Sequence, residues 1–109
     1  MNLLVDHVER FNQAVRSGDF APMVAAFTDD GELHFAGAPV GPFVGRDAIA
    51  AAYREQPPDD QVRLGDVEER ESGTIVARYA WLADDGREAG EMRLTPRDGR
   101  IAKLVVAFD

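Results

Sequence analysis

TIVARYAWLADDGREAGEMRLTPRDGRIAKLVVAFD, residues 74–109, is the stretch whose reading decides the fold. Three runs rich in β-branched, aromatic and aliphatic residues, about Thr74 to Ala83, Glu88 to Thr95 and Ile101 to Phe108, are set apart by Asp84-Asp85-Gly86 and Pro96-Arg97-Asp98-Gly99. Clusters of Asp, Gly and Pro between such runs are hairpin turns, because these residues tolerate the backbone angles that tight turns demand. A fourth run, about Val62 to Glu69, precedes them across Ser72-Gly73, so the C-terminal half is expected to be a four-stranded antiparallel meander.

Turn length fixes register, and register fixes which side chains share a face. Three-residue loops Asp84-Asp85-Gly86 and Arg97-Asp98-Gly99 set Arg78 opposite Met92, Ala80 opposite Gly90, and Met92 opposite Leu104. One face then collects Val76, Ala80, Leu82, Met92, Leu94, Leu104, Val106 and Phe108, with Arg78 as its charge. Two-residue loops dismantle that set. The opposite face would hold Ile75, Ala77, Tyr79, Trp81, Val105 and Ala107, too apolar to lie open to water, and a homodimer packed through this outer sheet face is the expected cover.

Ahead of the meander the period changes. Leu4, His7, Val8, Phe11, Ala14 and Val15 recur at helical spacing up to Gly18, with Asn12 left toward solvent. Asp19 can cap a short second helix with Pro22 in its first turn and Met23, Val24 and Phe27 on its apolar side, stopped by Thr28-Asp29-Asp30-Gly31. Glu32-Leu33-His34-Phe35 alternates as a short strand, and Ala36 to Gly45, with its glycines and prolines, is loop. A third helix is predicted from Arg46 to Glu55, with Ile49 and Tyr53 one turn apart. The expected fold class is therefore α+β: three N-terminal helices on a curved antiparallel sheet, one domain over residues 1–109.

Composition narrows the function. Twelve basic against twenty acidic side chains give a net charge of -8, which repels phosphate backbones and anionic lipid, so no nucleic acid and no membrane are expected as partners. The absence of cysteine removes disulfides, thiolate ligands and cysteine nucleophiles, and fits a cytoplasmic location. The two histidines lie far apart in the chain with no convergent carboxylates, so neither a metal nor another cofactor is expected.

The run from Val8 through Phe11 to Gly18, Asp19 and Phe20, the segment Met23 to Asp30, and Gly45-Arg46-Asp47-Ala48-Ile49 on to Tyr53 resemble the ketosteroid isomerase and SnoaL-like polyketide cyclase group of the nuclear transport factor 2-like superfamily. The resemblance implies a cone-shaped, cystatin-like fold enclosing a pocket. It also implies, for the isomerase, a tyrosine and a protonated aspartate as oxyanion donors and a second aspartate as base. Those positions match Phe11, Gly90 and Phe35 here, none of which can move a proton with its side chain. Tyr53 matches a tyrosine that supports the oxyanion hole.

The candidate pocket residues are accordingly Phe11, Phe35, Tyr53, Arg78, Leu82, Met92, Val106 and Phe108, with no catalytic residue assigned. Arg78 reads either as a clamp for an anionic ligand group or as one half of an internal ion pair, with Asp66 opposite it if Glu71-Ser72-Gly73 is a three-residue loop and Val67 if the turn has two. His34 should point away from Phe35, His7 reads as a packed or partly exposed histidine at the stripe's edge rather than a ligand, and Tyr79 and Trp81 fall on the dimer face. Two functions fit: a small-molecule-binding protein or enzyme acting on an apolar or anionic organic molecule, and a non-catalytic association module whose cavity Phe11, Phe27, Phe35 and Phe108 fill.

Overall fold

The computed structural model describes residues 2–84 and 87–108. Helix α1 (Leu3–Ser17) is fixed at both ends by its own sequence. Asn2 Oδ1 accepts hydrogen bonds from the Leu4 and Val5 amides at 3.0 and 3.1 Å, and Gly18, at φ 82°, donates its amide to the Ala14 carbonyl. Its buried stripe, Leu4, His7, Val8, Phe11 and Ala14, is the one the spacing predicts. Helix α2 (Ala21–Ala25) is a short turn begun by Asp19, whose carboxylate accepts from the Ala21 amide, and α3 (Arg46–Glu55) has the predicted bounds.

Among the described residues six strands form one sheet in the order β2-β1-β6-β5-β4-β3: β1 (Phe27–Ala36), β2 (Phe43–Val44), β3 (Val62–Glu69), β4 (Ile75–Trp81), β5 (Glu88–Arg97) and β6 (Arg100–Phe108). The predicted meander is present as β3 to β6, and β1 adds to it by running parallel to β6. Phe27 opens β1 rather than closing α2, and Thr28-Asp29-Asp30-Gly31 interrupts strand pairing instead of ending a helix. At Gly31 an added Cβ would stand 3.1 Å from the Phe27 side chain and from the Ile101 carbonyl, so the chain kinks there where only glycine fits comfortably. Further bulges in the β3–β4, β4–β5 and β5–β6 pairings bend the sheet around the helices.

The β4–β5 register differs from the expected one by a single residue, and every side chain of β4 changes face. Ala77 pairs with Met92, Tyr79 with Gly90 and Arg78 with Glu91. The reason lies at the hairpin: Leu82–Asp84 forms a 3-10 turn, held by the Leu82 amide on the Gln61 carbonyl and the Ala83 amide on Asp60, so the strand stops at Trp81. The expected Asp84-Asp85-Gly86 loop falls partly outside the described residues. At the β5–β6 hairpin the loop has two residues, Asp98 and Gly99, with φ of 53° and 76°. The two-residue loop moves the pairing by one position and a bulge between Thr95 and Pro96 moves it by one more, setting Met92 opposite Val106 and Leu94 opposite Leu104, so both strands keep their predicted faces. Ile75, Ala77, Tyr79 and Trp81 therefore look inward beneath the helices, while Val76, Arg78 and Ala80 look outward. Glu71-Ser72-Gly73 is a three-residue loop, with the Arg70 amide on the Thr74 carbonyl, but the β3–β4 pairing shifts between Leu64 and Val67, so Asp66 falls in the bulge rather than in register with Arg78.

Asn12, expected in solvent, ties α1 to the edge strand β3: its amide nitrogen donates to the Val62 carbonyl at 2.9 Å and its oxygen accepts from the Val62 amide at 2.8 Å. Arg46 fixes α3 in the same way, donating to the Phe27 carbonyl and to Asp29. Among the described residues no helix is long and apolar enough to cross a membrane.

Candidate functional site

Between helices and sheet lies a cavity of about 500 Å³. One side is built by α1 and α3, which present His7, Phe11, Ala52 and Tyr53. The sheet supplies Leu33 and Phe35 from β1, Val62 from β3, Tyr79 and Trp81 from β4, Met92 from β5, and Leu104, Val106 and Phe108 from β6. The loop before β2 adds Ala38 and Val40, with Phe43 at the strand's start, and Glu55 at the end of α3 borders the cavity with Gln56 and Pro58 just beyond it. The aromatic side chains are in mutual contact: Phe20 stacks on Tyr53 at 5.1 Å, Phe11 tilts against Trp81 at 6.4 Å, and Trp81 meets Tyr79 edge-on at 6.0 Å. Phe35 lies between Phe43 and Phe108, stacked on the latter, which is 46% exposed.

Six of the expected site residues, Phe11, Phe35, Tyr53, Met92, Val106 and Phe108, line this space. Arg78 and Leu82 do not. The register shift puts Arg78 on the outer face, where its Nε donates to Glu88 at 3.2 Å, and Leu82 sits exposed in the 3-10 turn. Tyr79 and Trp81, assigned by sequence to a dimer face, are cavity walls. Their misplacement has one cause, the hairpin register, and the apolar content of β4 on both parities gave no warning of it.

His7 is packed on the buried stripe of α1, as its spacing predicts. Its ring is 2% exposed, borders the cavity, and stands edge-on to Phe27 at 6.0 Å, with no hydrogen-bond partner at Nδ1. Burial, assisted by the positive charge of Arg10, lowers its pKa to about 4, so the imidazole is neutral at ordinary pH. Tyr53 is held protonated, because burial pushes its hydroxyl up from the usual phenol value. His34 points outward as expected and bonds Glu32 at 2.8 Å. Gly90 leaves no room for a side chain: a Cβ there would come within 1.8 Å of the Ala107 carbonyl oxygen, so the isomerase's donor acid has no place at this position. Among the described residues no group of three or more His, Asp or Glu is placed to hold a metal ion.

This combination of helices on a bent sheet around an interior cavity agrees with the comparison to known families: the profile of the SnoaL-like domain matches residues 8–104, and the chain belongs to that family. Solved structures give its fold as the nuclear transport factor 2-like one. An NTF2-like protein of unknown function from Burkholderia pseudomallei K96243 is 19% identical, with a TM-score of 0.71 over 100% of this chain and 92% of that one. A computationally designed 17-OHP binder is 14% identical, with a TM-score of 0.75 over 100% and 92%. SalBIII, an epoxide hydrolase/cyclase-like enzyme in pyran ring formation in the polyether salinomycin, is 17% identical, with a TM-score of 0.71 over 95% and 88%. No curated relative matches the sequence.

Proposed function

We propose that this SnoaL-like domain binds an uncharged, largely apolar organic molecule in the interior cavity. The observation that carries the reading is the space itself: about 500 Å³ walled by aromatic and aliphatic side chains, within the range of roughly 300–1,000 Å³ typical of small-molecule sites. The same volume counts against the association module, since Phe11, Phe35 and Phe108 border the space without filling it and Phe27 belongs to the packed core. An anionic ligand loses its motivation with Arg78 outside, and a net charge of -8 opposes it further. The designed 17-OHP binder supports the idea that this scaffold can be made to hold a ligand.

Trp81 is the sequence's single tryptophan and a cavity wall, so its indole N–H resonance reports occupancy. Titration with 1-methylnaphthalene should move that resonance saturably. Ala52→Phe, which puts a ring into the cavity space, should weaken the binding that the shift reports, and Arg78→Ala should leave it intact. No saturable shift, or one of equal affinity in Ala52→Phe, refutes the reading.

Self-association through the outer sheet face now rests on different residues. Tyr79 and Trp81 are absent from that face, and what it offers a second copy is the partly exposed Val105 and Ala107 among Arg78, Glu88, Glu91 and Arg93. Sedimentation equilibrium at micromolar concentration measures it, and a purely monomeric chain ends the proposal.

A further inference from the structure

An apolar cavity selects poorly among apolar molecules; a polar group in its wall selects sharply, because that group must be satisfied by the right ligand or left unpaired. His7 is such a group. It borders the cavity from α1, it is 2% exposed, and its Nδ1 has neither a protein partner nor solvent. A buried polar nitrogen without a partner costs free energy that a complementary ligand can return.

Resting on the cavity reading above, we propose that His7 hydrogen-bonds a hydroxyl group on the ligand, so that the ligand class is an apolar alcohol or phenol rather than a plain hydrocarbon. Three features choose the hydroxyl. A neutral imidazole presents either a lone pair or an N–H at Nδ1, and a hydroxyl answers both because it donates and accepts. An ammonium group is opposed by Arg10, whose charge acts on His7 one helical turn away. A carboxylate would have to leave water for walls made of Phe11, Leu33, Met92 and Val106. The other side chains with polar atoms at the border are Tyr53, Tyr79 and Trp81, whose hydroxyl and N–H groups belong to aromatic walls, and the exposed Glu55 and Gln56.

The test compares two probes of nearly equal size, 1-naphthalenemethanol and 1-methylnaphthalene, by calorimetry on the wild type, His7→Leu and His7→Gln. The proposal expects His7→Leu to weaken the alcohol about tenfold relative to the hydrocarbon, the loss of one buried hydrogen bond, while His7→Gln retains most of the preference. It also expects the ring ¹⁵N resonances of His7 in the wild type to move with the alcohol and stay with the hydrocarbon. This second readout decides the matter even where a variant fails to fold. Both probes bound with the same affinity ratio in wild type and His7→Leu, or an unmoved His7 ¹⁵N signal, overturns the role of His7 and leaves the cavity reading standing. Neither probe bound by the wild type overturns both.

Discussion

Desolvation makes His7 a reporter of the folded state. Its pKa in the native protein is about 4 against an ordinary 6.5, so the unfolded chain binds the proton more readily than the folded one. The contribution is therefore intact above about pH 6.5 and drains away as the pH falls toward 4, by on the order of 3 kcal/mol across the window. Urea midpoints measured at pH 7.5 and 4.5 should show that fall, and His7→Leu should flatten it. At lower pH Asp30 also titrates, its carboxyl held below the usual range by the Arg97 and Thr28 hydrogen bonds. Helical spacing placed His7 correctly on the buried stripe of α1. That the stripe abuts a void at that point depends on strands far along the chain, which no local pattern expresses.

Among the elements, those defined by local chemistry were readable and those defined by pairing were not. Gly18 ends α1 as a left-handed cap, and α3 runs from Arg46 to Glu55 as its apolar spacing predicts. The meander's strands were equally plain from their turns. Strand β4 was read on the wrong face because Ile75 to Trp81 is nearly all apolar, so alternation carried no parity, and the deciding hydrogen bonds come from Asp60 and Gln61. The parallel pairing of β1 on β6 joins segments separated by most of the sequence. Gly90 tests the observed register directly, since it pairs with both Tyr79 and Phe108 and an added Cβ would meet the Ala107 backbone. Gly90→Ala should cost about 1–3 kcal/mol of stability, read from denaturant midpoints, by forcing β5 and β6 apart. Were Ala80 opposite Gly90, as the turn lengths first suggested, Tyr79 would leave the cavity wall.

For the molecule as a whole, sheet curvature, helix placement and side-chain volume together leave the cavity open. Sequence indicated apolar walls, and six of the eight expected residues are there, but the size of a void is a difference between the volume enclosed and the volume filled. That difference is a property of the assembled structure. A ligand that binds only the folded state adds stability in proportion to the logarithm of its concentration over Kd, about 2.7 kcal/mol at a hundredfold excess. The melting temperature should accordingly rise steadily with 1-methylnaphthalene in the wild type and rise less at the same concentrations in Ala52→Phe.

Anomalous diffraction from crystals soaked in 1-bromonaphthalene locates such a ligand without reference to any reporter. Ligand binding in the interior predicts one strong bromine peak inside the cavity, among Trp81, Met92 and Phe35 and within reach of His7. Bromine confined to the outer sheet face, with the interior unoccupied, would contradict it.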